Sequence, residues 1–118
     1  MAITFMSGPF DGRTLEWPYP DAFSSFVLTI GRREGCDILL NYDSQVSRVH
    51  ARLSYDPEQA AFYIEDTGSR NGTFLGNLRL DGRAALNPGA LFRVGRTWMR
   101  LDPPRSVPRE VDGESPPL

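Results

Sequence analysis

The chain has 118 residues, 40% of them hydrophobic and 24% charged, and a formal net charge of −2. That length supports one domain with its own core, and the charge excludes a general nucleic-acid binder, which would carry a basic excess or stripe. One cysteine and one histidine exclude an internal disulfide and a cluster of His and Cys metal ligands, and no apolar run approaches the roughly eighteen residues that cross a bilayer.

The residues before Thr4 lack the charged start and long apolar middle of a signal peptide, so a reducing, cytoplasmic setting is expected. Short β-like runs then follow in order at 3–6, 13–17, 26–31, 37–40, 50–55, 61–66, 73–75, 78–80, 84–86, 91–94 and 98–101. Gly8-Pro9, Asp11-Gly12, Asp56-Pro57, Asp81-Gly82, Asn87-Pro88-Gly89 and Gly95-Arg96 punctuate them as turns. Residues 17–25 are long enough for a helix, but two prolines predict an irregular loop instead. Cys36, just before Ile38-Leu39-Leu40, reads as a buried, inert thiol. The alternation of Val49, Ala51 and Leu53 against His50, Arg52 and Ser54 is the period of a half-buried strand, as is Phe62 and Ile64 against Tyr63 and Glu65. Many short strands without helical periodicity predict an all-β sandwich or barrel.

From Asp102 onward the character changes. Five of the ten prolines fall in 102–118, with no aromatic residue. That composition buries too little apolar surface to offset its ordering entropy, which predicts a folded domain over 1–101 followed by a Pro-rich disordered tail or linker.

Three segments carry chemistry: Gly31-Arg32, Ser47-Arg48-Val49-His50 and Ser69-Arg70-Asn71-Gly72-Thr73. Each joins hydroxyl, guanidinium or amide groups to turn-permitting residues beside a predicted strand. Those groups bind a phosphate dianion, and the turns let backbone N–H groups approach it. All thirteen cationic residues are arginine, whose planar fork suits bidentate phosphate contact. Taken singly, each segment has a blander reading: a common dipeptide, a solvated loop, a structural histidine, a hairpin turn. Arg33, Arg52, Arg96 and Arg100 read as solvated rim residues, and Trp17 and Trp98 as packing.

In this order and spacing the segments resemble the forkhead-associated (FHA) domain family, and the resemblance extends through the Asn87–Gly95 stretch "NPGALFRVG" to cover about residues 3–101. It implies a two-sheet β-sandwich of about eleven short, mostly antiparallel strands, with the binding loops at one end. It also implies phosphothreonine-dependent peptide binding. Arg32 resembles the guanidinium that binds the phosphate and adjoining peptide, and Ser47 the hydroxyl that donates to a phosphate oxygen. Arg48 matches a position that contacts phosphate or peptide, Arg70 a variable pocket-lining position, and Asn71 the amide that grips the ligand's main chain. Gly31, His50 and Gly72 resemble structural supports, and Gln45 lies near where the residue three beyond the phosphothreonine docks.

The expected function is therefore a phosphothreonine-dependent interaction module in bacterial Ser/Thr-kinase signalling, monomeric, with no cofactor, no metal, no nucleic-acid partner and no membrane partner. The competing reading is a phospho-independent scaffold that uses a sheet face to dimerise or dock. An enzyme is rejected on inventory: the lone histidine has no partnered nucleophile, the carboxylates form no recognisable acid/base pair, and there is no P-loop.

Overall fold

A computed structural model describes residues 1–20 and 25–104. The chain forms eleven strands: β1 (Ala2–Phe5), β2 (Thr14–Glu16), β3 (Phe26–Gly31), β4 (Ile38–Leu39), β5 (Ala51–Asp56), β6 (Ala61–Asp66), β7 (Thr73–Leu75), β8 (Leu78–Arg79), β9 (Arg83–Leu86), β10 (Leu91–Val94) and β11 (Thr97–Leu101). They make an all-β sandwich of a six-stranded sheet, ordered β2-β1-β11-β10-β7-β8, and a five-stranded sheet, ordered β4-β3-β5-β6-β9. Every pairing is antiparallel except β3 with β4. Among the described residues no helix is long and apolar enough to cross a membrane.

The core follows from side-chain alternation. Ala51, Leu53 and Tyr55 of β5 face inward opposite Asp66, Ile64 and Phe62 of β6, while Arg52 and Ser54 between them face out. Ile30 and Leu28 extend that layer onto β3, and Ile3, Phe92 and Met99 meet it from the other sheet. At one side Phe26 stacks on Tyr55, and Phe62 packs tilted against both, its centroid 4.9 Å from that of Tyr55.

Two expectations need correction. The predicted alternation fails at its start: His50 is fully buried, whereas Val49 is 36% exposed. β5 begins only at Ala51, and the chain before it is a turn rather than a pleated strand, so period-two reasoning does not reach back to residue 49. Cys36 is only partly buried, because it sits in the turn between β3 and β4, where its thiol donates to the Arg48 carbonyl at 3.4 Å.

The register gathers the three chemical segments. Ile30 near the end of β3 pairs with Ala51 at the start of β5, and Ala51 pairs with Asp66 at the end of β6. In the other sheet Thr73, the first residue of β7, pairs with Val94 at the end of β10. The turns 32–37, 40–50, 67–72 and 95–96 thus lie at one end of the sandwich. At the other end Asp102 closes the last strand, donating its N–H to the Ala2 carbonyl at 3.0 Å and accepting from Thr4 Oγ1 at 2.7 Å. Residues 17–20 have no regular structure; of the tail predicted over 102–118, Asp102 is bonded into the sheet, and 105–118, like 21–24, lie outside the described residues.

Leu53 and Ile64 face one another with no exposure. Ile64→Ala should therefore lower unfolding free energy by about 2–5 kcal/mol, while Val27→Ala, at a site 54% exposed, should stay within about 0.5 kcal/mol. Denaturant melts of the two variants compare them directly.

Candidate functional site

Gly31 ends β3 against the Arg48 main chain. A Cβ built at residue 31 would lie 2.2 Å from the Arg48 carbonyl oxygen, so only glycine permits this approach. The strand ladder then continues into the loops. Arg32 donates its N–H to the Ser47 carbonyl at 3.0 Å, and Arg33 donates to the Arg48 carbonyl at 3.1 Å. The Arg32 side chain also folds onto this segment, its Nε donating to the Val46 carbonyl at 2.8 Å. Its terminal nitrogens make no hydrogen bond or ion pair among the described residues.

The 43–50 segment is held from below. Asp43 is buried, and its two oxygens accept from Gln45 N–H at 2.9 Å, Arg96 N–H at 2.8 Å and Thr97 Oγ1 at 2.8 Å. Four residues on from Val46, His50 Nδ1 accepts the Ser47 N–H at 3.0 Å. The proton must then sit on Nε2, which donates to the Gly72 carbonyl at 2.8 Å. Ser47 Oγ accepts the Arg70 N–H at 3.1 Å, which leaves the hydroxyl proton free to turn elsewhere.

The 66–72 turn is organised by one carboxylate. Asp66 accepts the Gly68 and Ser69 N–H groups at 2.9 Å on one oxygen, and the Ser69 and Thr73 hydroxyls on the other. Burial pushes this carboxyl's pKa up, but the hydroxyls of Ser69 and Thr73 and the two N–H groups outweigh it, leaving it below the usual carboxylate value. Asn71 is turned so that its Nδ2 donates to the Gln45 carbonyl at 2.8 Å. Gly72 has φ +88°, a left-handed conformation that favours glycine, and the exposed Arg79 side chain lies over it.

Arg32 and Asn71 are therefore bonded to the carbonyls of Val46 and Gln45, Ser47 follows them and takes the Arg70 N–H, and Gly31, His50 and Gly72 hold the three turns to one another. Arg48 is exposed beside Arg33, and Arg70 lies across Ser47 from them. Gln45 is half-buried, giving its N–H to Asp43 and its carbonyl to Asn71. Sequence reasoning missed Asp43, Asp66 and Ser69. An Asp two residues before a Gly in a turn is a weak local signal, which alone would have marked Asp66.

A crevice of about 190 Å³ adjoins this end, lined by Gly8, Pro9, Tyr42, Asp43, Ser44, Arg96 and Thr97. The larger groove, about 660 Å³, lies at the opposite end between Met1, Trp17, Tyr19 and Asp102–Pro104 and touches none of the three segments. Among the described residues no group of three or more His, Cys, Asp or Glu is placed to hold a metal ion.

The FHA domain family model matches residues 28–95. The chain belongs to the FHA domain family. Members of this family are non-catalytic binding modules, and that is the class of this domain. FHA domain-containing protein FhaB of Mycolicibacterium smegmatis is 38% identical over 74 residues, covering 63% of this chain and 46% of that protein. The chain thus spans about half the length of that curated relative. The FHA domain of the CT664 protein from Chlamydia trachomatis shares the fold, with TM-score 0.74 and 21% identity over 86% of this chain and 95% of that one. A further FHA domain, solved with an analysis of phosphothreonine-dependent FHA domain interactions, is 25% identical with TM-score 0.67, covering 86% and 96%. Matching relatives also occur in Homo sapiens and Arabidopsis thaliana, so membership does not assign the chain to bacteria.

Because folding lowers the Asp66 pKa, its stabilisation is present above the ordinary carboxylate pKa of about 3.9 and is lost as pH falls through its folded value. Asp66→Asn should destabilise the domain by about 1–3 kcal/mol at pH 7. The gap between wild type and variant should then narrow below about pH 4, as thermal melts across pH will register.

Proposed function

We propose that this domain binds phosphothreonine-containing peptides and so docks phosphorylated proteins in Ser/Thr-kinase signalling. The observation that carries this reading is that Arg32 and Asn71 are bonded to the Val46 and Gln45 carbonyls, next to Ser47, at one end of the sandwich. Arg32 offers its terminal N–H groups to the phosphate, and Ser47 its hydroxyl proton. Arg48 and Arg70 flank them, and Asn71 takes the ligand's main chain beside the phosphothreonine. Gly31, His50 and Gly72 support the loops, and Gln45 faces a later residue of the ligand. The domain acts as a cytoplasmic monomer, and the predicted 102–118 tail is a linker from the residue after Asp102 onward.

A phosphothreonine brings about −1.5 to −2 charges and three strong acceptor oxygens. Each charge-assisted hydrogen bond contributes roughly 1.5–3 kcal/mol, so two or three of them, less ordering costs, reach an affinity of about micromolar.

Titration of a phosphothreonine peptide that binds the wild-type domain, followed by backbone NMR shifts, should move residues 31–33, 45–48 and 70–72. Arg32→Ala and Ser47→Ala should each weaken binding roughly 10- to 100-fold. Equal binding of the phosphorylated and unphosphorylated peptides would replace this reading with the phospho-independent scaffold.

A further inference from the structure

The described arginines fall into two groups by what they touch. Arg52 pairs with Glu65 at 3.3 Å and Arg100 with Asp102 at 2.8 Å. Arg13, Arg83 and Arg93 lie over aromatic rings. Arg33, Arg48, Arg70, Arg79 and Arg96 have no side-chain hydrogen bond, ion pair or ring contact among the described residues; the main chain of Arg33, Arg48 and Arg70 adjoins Ser47, Arg79 lies over Gly72, and Arg96 is in the 95–96 turn at the same end. The two carboxylates built into this end, Asp43 and Asp66, point inward and are taken up by N–H and hydroxyl donors. Among the described residues of the 32–37 turn, Glu34 and Asp37 are exposed acids, and Asp37 is bonded to Thr29.

This leaves more cationic surface than one phosphate uses. Arg70 and Asn71 approach the 45–47 stretch on one side, through Ser47 Oγ and the Gln45 carbonyl. Arg33 meets the same segment further along, at the Arg48 carbonyl. Arg33 and Arg48, joined through their main chains and both exposed, thus stand immediately beside Arg32 and Ser47. Guanidinium forks match carboxylates bidentately.

We propose that Arg33 is a specificity-determining residue which, with Arg48, receives a carboxylate flanking the phosphothreonine, so that the preferred ligand is an acidic phosphothreonine peptide. This rests on the phosphothreonine reading above and adds a ligand class to it.

The test uses the full chain and one phosphothreonine peptide sequence in three forms. One form carries Asp or Glu at the residues before the phosphothreonine, one carries them after it, and one has Asn or Gln throughout. Isothermal titration at low salt should give one acidic form roughly 3- to 10-fold tighter binding than the neutral form, with the gap closing at high salt. Arg33→Gln should shrink that gap, whereas Arg52→Gln, a paired arginine on a sheet face, should preserve it. Phosphorylation-dependent binding with equal affinity for all three forms overturns the inference alone, as does a gap undiminished in Arg33→Gln. Equal binding with and without the phosphate overturns the site reading and this inference with it.

Discussion

The imidazole of His50 spans the two sheets at the loop end. It takes the Ser47 N–H on one nitrogen and gives its own proton to the Gly72 carbonyl on the other. Ser47 leads into β5 of the five-stranded sheet, and Gly72 leads into β7 of the six-stranded one. The ring has no exposure, so water cannot replace either partner, and a buried donor or acceptor left alone costs about 1–3 kcal/mol. The main chain of the same residue is equally committed, its N–H to Ile30 and its carbonyl to the Thr67 N–H. One residue thereby fixes the ends of β3 and β5, the turn after β6, and the entry to β7. The placement of every side chain in the candidate site depends on that register.

Around this link the acids and bases are sorted by depth. Asp43 and Asp66 lie beneath the loops and spend their lone pairs on N–H and hydroxyl groups, which stiffens the turns without presenting negative charge outward. The arginines of the same turns project outward. A chain with net charge −2 can in this way carry a cationic end, because local potential depends on where charges sit and on which of them are already hydrogen-bonded. Glu16 on β2 pairs with Ala2 at the opposite end, whereas Glu34, Asp37 and Asp81 are exposed in turns at the loop end, where the arginines outnumber them.

All eleven strands were legible in the sequence to within a residue at either end, since short apolar or alternating runs are set off by Gly, Pro, Asp or Asn turns. The convergence of Arg32, Ser47 and Asn71 was legible only through the resemblance; the residues alone placed them in loops without saying which loops meet. Three features were out of reach for physical reasons. The burial of His50 depends on a change from turn to strand at Ala51 that leaves no trace in the hydrophobic pattern. The parallel pairing of β3 and β4 rests on two residues of β4, too few to show a period. Whether an arginine has a partner cannot be read from its neighbours in sequence, so Arg33, whose side chain has no partner among the described residues, and Arg52, which is bound to Glu65, look alike until the register is known.

The hydrogen bonds inside the site also set its polarity. A carbonyl can only accept, so the amide nitrogen of Asn71 must face Gln45, and its Oδ1 is left to accept from a ligand N–H. Ser47 Oγ already receives the Arg70 N–H, which polarises the hydroxyl to donate outward. Arg32 anchors through Nε to Val46, so its orientation is fixed before any ligand arrives and its remaining donors face outward. In the proposed complex these three choices divide the ligand: donors converge where an anion would sit, and an acceptor stands where the adjoining peptide would pass. For Arg32 and Asn71 the ordering that normally opposes binding has been met within the folded domain. A free threonine hydroxyl would present no charge to those donors. Discrimination for the phosphorylated form would then come from the fixed polarity of the loops rather than from a shaped apolar pocket.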